Sequence, residues 1–182
     1  MSPIAITLGL IAAVSGNAYA QTVDHTKMNH AAHMAAMADA QRQAAVSQRG
    51  EEVMPFSLAA TTHIFTKSAE GGTQQVVAKD SANIEQVRLV REHLQEIRKQ
   101  FLKGDFSGPS RIHGDDMPGL ADLKATTPGQ ITIDYKEIEG GAELIYKTSN
   151  SLLVTALHQW FDAQLSDHGK DAMEGHTNHG DM

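Results

Sequence analysis

Two stretches of the chain repeat one pattern of apolar and polar positions. In each, two alternating stretches joined by a Glu-Gly-Gly turn precede a segment with apolar residues at three- and four-residue steps. Alternation predicts a half-buried strand, whereas the longer steps predict an amphipathic helix. The predicted strands span residues 57–67, 73–79, 131–138 and 142–148.

Each predicted helix carries a continuous apolar stripe and follows residues that favour helix N-termini, such as Asn83 and Asn150. The stripes comprise Ile84, Val87, Val90, Leu94, Ile97 and Phe101 in the first helix and Leu153, Leu157, Trp160, Phe161 and Leu165 in the second. An apolar stripe needs a core to cover it. We therefore predict an α+β fold in which two β-hairpin–helix units form one antiparallel four-stranded sheet with both helices on one face.

The segment between the two units, residues 104–120, is rich in glycine, proline and charged residues. It is too polar and too broken for a long helix or a central strand, so we predict a long loop, and such loops in compact domains are commonly functional. One short helical turn is predicted at 120–124. His113 and Met117 offer two metal-ligating side chains four positions apart within this loop.

The ends of the chain differ in composition from its middle. Residues 1–20 carry no charged side chain and end in Ala18-Tyr19-Ala20, which predicts a signal peptide cleaved after Ala20 and a periplasmic location. Residues 21–52 and 170–182 are rich in His and Met but lack a stripe of Leu, Ile or Val. We predict a flexible arm and a flexible tail around an α+β domain at residues 53–169, with no membrane span in the mature form.

Composition excludes several classes of function. The chain has no cysteine, so disulfides, thiolate nucleophiles and cysteine-bound metals are excluded. The formal net charge of −7 argues against a nucleic-acid partner, because phosphate backbones require a basic surface. In the absence of cysteine, any soft metal ligand must be methionine, and the chain has eight methionines together with ten histidines.

The candidate metal ligands of the folded part are His63, His93, His113, Met117, His158 and His168. A single histidine in a strand or on a helix flank is more often a packed, hydrogen-bonded residue than a ligand. His113 differs because it lies in the central loop, beside Asp115, Asp116 and Met117. A histidine with a methionine suits Cu(I) or Ag(I), whereas a histidine with an aspartate suits zinc or Cu(II). Spacing alone does not choose between them.

Several motifs resemble those of one protein group. They are Thr62-His63-Ile64-Phe65-Thr66-Lys67, Ile112-His113-Gly114-Asp115-Asp116-Met117-Pro118-Gly119-Leu120 and Ala156-Leu157-His158-Gln159-Trp160-Phe161-Asp162-Ala163-Gln164-Leu165-Ser166-Asp167-His168-Gly169. Over residues 53–175 the chain is similar to small exported proteobacterial proteins, often with His-rich tails. The resemblance implies copper handling, because that group is linked to copper by context.

Members of that group often carry the label aspartate carbamoyltransferase, which does not fit this chain. The chain is too short for the catalytic subunit of that enzyme, lacks its Ser-Thr-Arg-Thr phosphate-binding motif and has no cysteines for its regulatory zinc site.

Three hypotheses follow. The first is a periplasmic protein that buffers copper or silver, or passes it to another periplasmic metal-handling protein, without catalysing a reaction. The second is a metal-dependent hydrolase with Asp115 or Asp116 as base beside a histidine-bound zinc. The third is a structural or interaction domain without a metal.

Overall fold

In the computed structural model, which describes residues 25–176, the two predicted hairpins lie side by side in one five-stranded sheet. The elements are α1 (His25–Val53), β1 (Thr61–Ser68), β2 (Gly71–Ala78), α2 (Ile84–Phe101), α3 (Ser107–His113), α4 (Leu120–Lys124), β3 (Thr132–Ile138), β4 (Gly141–Lys147), α5 (Ser151–His168) and β5 (Ala172–Glu174), with 3₁₀ turns at Leu58–Ala60 and Gly169–Asp171. The predicted α+β class is confirmed.

The strands are ordered β3-β4-β2-β1-β5. The two hairpins join through β2 and β4, which pair antiparallel with Gln74 opposite Leu144. The fifth strand corrects the four-stranded prediction, because β5 pairs with β1 in parallel, with Phe65 opposite Glu174. The first part of the predicted flexible tail is therefore an edge strand of the sheet.

The alternation of each strand sends one set of side chains into the core. Phe65, Val76, Leu144 and Tyr146 are buried on the face that α2 and α5 cover. Both helices begin at the predicted caps, since Asn83 accepts a hydrogen bond from the backbone of Gln86 and Asn150 does so from Leu152. The helical layer is larger than predicted, because α1 and α4 also pack against α5 and α1 also packs against α3.

The predicted flexible arm is a helix over its described part. Residues 29–42 of α1 are exposed, but Val46 is fully buried and Gly50 is buried. Arg49 donates a hydrogen bond to the carbonyl of Ile112 at 2.6 Å, which ties α1 to α3. The arm lacks an apolar stripe, so this packing depends largely on polar contacts that sequence periodicity does not reveal.

The central segment is more ordered than the predicted loop. It contains α3, in which His113 is the last residue, and α4, which lies at the predicted helical turn. Between them, Gly119 has a φ of 76°, and a Cβ there would lie 2.1 Å from the carbonyl oxygen of Ala156. Only glycine therefore allows the chain to approach α5 this closely.

Within residues 25–176, no helix combines the length and apolar composition needed to cross a membrane. The predicted signal peptide over residues 1–20 lies outside the described residues, as does the end of the predicted tail from residue 177 onward.

Candidate functional site

Four of the predicted ligand residues line one cavity of about 430 Å³. His63 comes from β1, His93 from α2, His113 from the end of α3 and His168 from the end of α5. The cavity is thus enclosed by both hairpin–helix units and by the central segment. The fold brings together histidines that are up to 105 positions apart in the chain, as the numbers of His63 and His168 show.

Local structure explains why these side chains point inward. The alternation of β1 puts His63 on the same face as Phe65, and both are almost fully buried. His93 lies one turn before Ile97 on the flank of the α2 stripe, and both line the cavity. The inward positions of His63 and His93 therefore follow from the periods of their elements.

The imidazole rings are packed against each other and against Phe56. The rings of His63 and His168 stack with centroids 4.7 Å apart and an interplanar angle of 5°. The His113 ring meets the His168 ring edge-on, with centroids 5.1 Å apart. The centroid of the Phe56 ring lies 6.0 Å from that of His63 and 5.5 Å from that of His93, so a single aromatic side chain contacts two of the four histidines.

Two of the imidazoles each have one ring nitrogen in a hydrogen bond with a side chain. His113 Nδ1 lies 2.8 Å from Oδ2 of Asp167, and His168 Nε2 lies 3.1 Å from Oε1 of Gln164. The buried Nδ1 of His63 has no hydrogen-bond partner. Because carboxylate and carbonyl oxygens only accept, His113 and His168 each donate an N–H there, and the other nitrogen of a neutral ring keeps a lone pair.

Asp167 connects the cavity to α1. Its carboxylate receives hydrogen bonds from His113 and from Arg42, whose Nη2 lies 3.0 Å from Oδ2. Arg42 also donates to the backbone carbonyl of His113 at 3.3 Å. Burial raises the pKa of Asp167, but the bonds from His113 and Arg42 outweigh burial and leave that pKa below its ordinary value. The residue is therefore a carboxylate that fixes the orientation of the His113 ring.

Burial in the cavity favours the neutral form of His63, His93 and His168. Burial lowers the pKa of His93 to about 4 and that of His168 to about 4. Burial, reinforced by the neighbouring imidazoles of His168, His93 and His113, holds the pKa of His63 well below its ordinary value. Neutral imidazoles are the form that binds metal ions, so protons do not compete for these three rings at neutral pH.

The lowered pKa values predict a loss of stability in acid. Unfolded histidine titrates near pH 6.5, so between about pH 6.5 and 4 the unfolded chain binds more protons than the folded one. The contribution of these neutral histidines to the free energy of unfolding is complete above about pH 6.5. It declines as the pH falls from there to about 4, in total by about 1.4 kcal/mol for each unit by which folding lowers a histidine pKa. Urea unfolding at several pH values between 7.5 and 4 measures this decline.

Carboxylates also destabilise proteins in acid, so a comparison with a variant isolates the histidine contribution. His168→Gln should unfold with a weaker pH dependence than the parent chain between pH 6.5 and 4. If the free energy of unfolding fell equally with pH in both proteins, His168 would not contribute to the loss of stability in acid.

The four histidines share the cavity without forming a closed coordination sphere. Among the residues that the structure describes, no three His, Cys, Asp or Glu side chains are placed to hold an ion together. Metal binding here therefore requires the imidazole side chains to move closer together. Two buried groups at the cavity wall remain without hydrogen-bond partners, namely Nδ1 of His63 and Nε1 of Trp160.

Two predicted ligands lie elsewhere. Met117 is buried in the hydrophobic core and does not line the cavity, so its position does not support a role as ligand. A different methionine, Met54, has a half-buried side chain that lines the cavity beside the histidines. His158 instead bonds the backbone carbonyls of Ser68 and Gly71 at 3.1 and 2.9 Å, and it ties α5 to the β1–β2 turn.

The aspartates of the hydrolase hypothesis also lie away from the cavity. Asp115 is exposed and pairs with Lys124 at 2.9 Å. Asp116 borders a separate surface groove together with Arg42. Neither carboxylate lines the histidine cavity, so a base for that reaction is not provided by either.

Sequence reasoning missed Asp167, Gln164, Met54 and Trp160 as residues of this site. A signal was present for the first two, since Gln164 and His168 stand one helical turn apart and Asp167 precedes His168 directly. For Met54 there was none, because its approach to the cavity depends on how α1 ends against the domain.

The chain was compared with protein families, curated proteins and solved structures. No protein-family model, curated protein or solved structure matches it.

Proposed function

We propose that this protein binds a transition-metal ion, with copper as the first candidate, in the cavity lined by His63, His93, His113 and His168. The observation that carries the proposal is the state of three of these rings. All three are buried; His113 and His168 each bond a side chain through one ring nitrogen only, and Nδ1 of His63 has no hydrogen-bond partner. A purely structural cluster has no need of three buried imidazoles with unbonded ring nitrogens beside one cavity.

The surroundings of these rings resemble the outer shell of known kinds of metal centre. Histidines that bind metals usually donate their second N–H to a carboxylate or a carbonyl oxygen, which fixes the tautomer and makes the ring a better donor. Asp167 provides the carboxylate for His113, and Gln164 provides the amide oxygen for His168. The pKa of His168, about 4, keeps its ring neutral without a metal.

Copper is favoured by the set of available donor atoms. The cavity lining offers imidazole nitrogens and the thioether of Met54, with Glu96 as the only carboxylate among the described residues. Imidazole with thioether suits Cu(I) and Ag(I), whereas zinc gains little from a thioether. Zinc is the second candidate, bound by the imidazoles alone.

In the cell, the proposed role of this metal site is to buffer or transfer copper. An exported chain that holds copper without a catalytic base would act as a periplasmic buffer, or would pass the ion to another periplasmic metal-handling protein. The predicted signal peptide and the resemblance to copper-associated exported proteins support this role.

Titrations with Cu(I) under a competing chelator, and with Zn(II) in parallel, test the proposal. His63→Leu removes the ligand with the unpartnered nitrogen while keeping an apolar side chain on the buried face. We expect this change to weaken binding of both ions at the cavity at least tenfold. Met54→Leu should weaken Cu(I) binding and leave Zn(II) binding unchanged, because only the softer ion uses the thioether.

The matched control is His158→Gln, which removes a histidine outside the cavity. It should leave both affinities unchanged. Circular dichroism spectra verify that each variant is folded. Equal affinities for the parent chain, His63→Leu and His158→Gln would reject the cavity as a metal site.

A further inference from the structure

Helix α1 carries four ligand side chains in one stripe. His30, His33, Met34 and Met37 are spaced i, i+3, i+4 and i+7, which places them on one face of the helix. All four are exposed, and the exposed fractions of Met34 and Met37 are 55% and 49%. Thioethers are apolar groups, and two adjacent exposed ones call for an explanation.

The stripe faces away from the domain. Among residues 29–53 of α1, the buried ones are Val46 and Gly50. Val46 lies nine positions after Met37, which is about two and a half helical turns and thus the opposite side of the helix. Packing against the domain therefore cannot explain why these residues are His and Met.

The stripe lies in a part of α1 where the described side chains are all exposed. Residues 29–42 are exposed without interruption. Helices are generally held by tertiary packing of an apolar face, and this stretch of α1 has none in the described part of the chain. A ligand that joins successive turns would supply the stabilisation that packing does not.

We propose that His30, His33, Met34 and Met37 form a second metal site, selective for a soft monovalent ion, Cu(I) or Ag(I). The site contains two i,i+4 pairs of one imidazole and one thioether, His30 with Met34 and His33 with Met37. The Cβ atoms of such a pair lie about 5–6 Å apart, close enough for one ion to join them. All four donors are uncharged, which suits a monovalent soft ion better than a divalent one.

This site is independent of the histidine-lined cavity, since no side chain is shared between them. It would take an ion from solvent on an exposed surface, whereas the cavity holds buried ligands. Binding should also slow the hydrogen exchange of backbone amides in this part of α1, because the ion links adjacent turns.

The test is a titration of the full chain with Ag(I), followed through the methyl resonances of ¹³C-labelled methionine. We expect the signals of Met34 and Met37 to shift together at the first equivalents. The double variant M34L/M37L keeps helix propensity and should bind one equivalent fewer. The matched control is Met173→Leu, another exposed methionine, which should bind as many equivalents as the parent.

The outcomes separate the two sites. In His63→Leu the shifts of Met34 and Met37 should persist, whether or not the cavity binds metal. An unchanged stoichiometry in M34L/M37L, or methyl signals of Met34 and Met37 that do not move with Ag(I), would overturn the second site. Hydrogen exchange of the backbone amides of residues 34–41 should slow with Ag(I) in the parent chain and not in M34L/M37L.

Discussion

Replacing Trp160 by alanine is expected to destabilise the fold by about 3–5 kcal/mol. The side chain is fully buried, and its ring meets those of Phe101, Phe106 and Tyr146 edge-on, with centroids 5.8, 6.3 and 5.9 Å apart. Truncation therefore removes the largest side chain of the core together with these three contacts and a tilted one with Phe161. It should also merge the vacated volume with the cavity, which Trp160 lines.

Urea unfolding followed by circular dichroism measures this loss, since the chain has no second tryptophan to report by fluorescence. Trp160→Phe is the matched control. It keeps an aromatic ring and removes an indole N–H that has no hydrogen-bond partner, so it should cost clearly less than Trp160→Ala. A loss below about 1 kcal/mol for Trp160→Ala would show that the aromatic cluster is not the centre of the core.

The hairpin–helix units could be predicted because their signals are local. Alternation in the strands, the Glu-Gly-Gly turns and the stripes of α2 and α5 each involve residues a few positions apart. β5 could not be predicted in this way. It has three residues, Ala172–Glu174, and it becomes a strand only because the edge of β1 is available for pairing.

The packing of helix α1 could not be predicted from the sequence for a different reason. Its sequence lacks an apolar stripe, and the prediction of a mobile arm followed from that. The helix is held instead by Val46 and by hydrogen bonds from Arg42 and Arg49 to residues 63 to 125 positions away. Such partners are set by the tertiary fold, so composition and periodicity of the helix itself do not reveal them.

The sequence predicted which histidines belong to the candidate site, but not how they are arranged in space. Every histidine that lines the cavity was among the predicted ligands. His113 and Met117 were paired because they are close in sequence, yet the turn at Gly119 leads the chain into the core and buries Met117 there. The thioether beside the imidazoles belongs to Met54, 59 positions before His113.

Replacing Asp167 by asparagine is expected to weaken metal binding at the cavity by about 10–100-fold. The carboxylate accepts a hydrogen bond from His113 Nδ1 at 2.8 Å and thereby keeps the lone pair on Nε2. Asparagine has nearly the same shape, but it is neutral and can present its amide N–H₂ to the ring. The substitution should therefore weaken His113 as a metal ligand and change its tautomer, while the packing around position 167 changes little.

Competition titrations with Cu(I) and Zn(II) measure the effect, and both ions should lose affinity because both need the His113 ring. Two variants separate the possible causes. Asp162→Asn removes a more exposed carboxylate from the same helix and should leave both affinities unchanged. Arg42→Gln keeps the Asp167–His113 bond but removes the link from Asp167 to α1.

If Asp167→Asn weakens binding and Arg42→Gln does not, the carboxylate acts through the His113 ring. If both variants weaken binding equally, the contribution of Asp167 lies in docking α1, whose end supplies Met54 to the cavity. Unchanged affinity in Asp167→Asn would mean that the His113 ring does not bind the ion, and the metal ligands would then have to be sought among His63, His93 and His168.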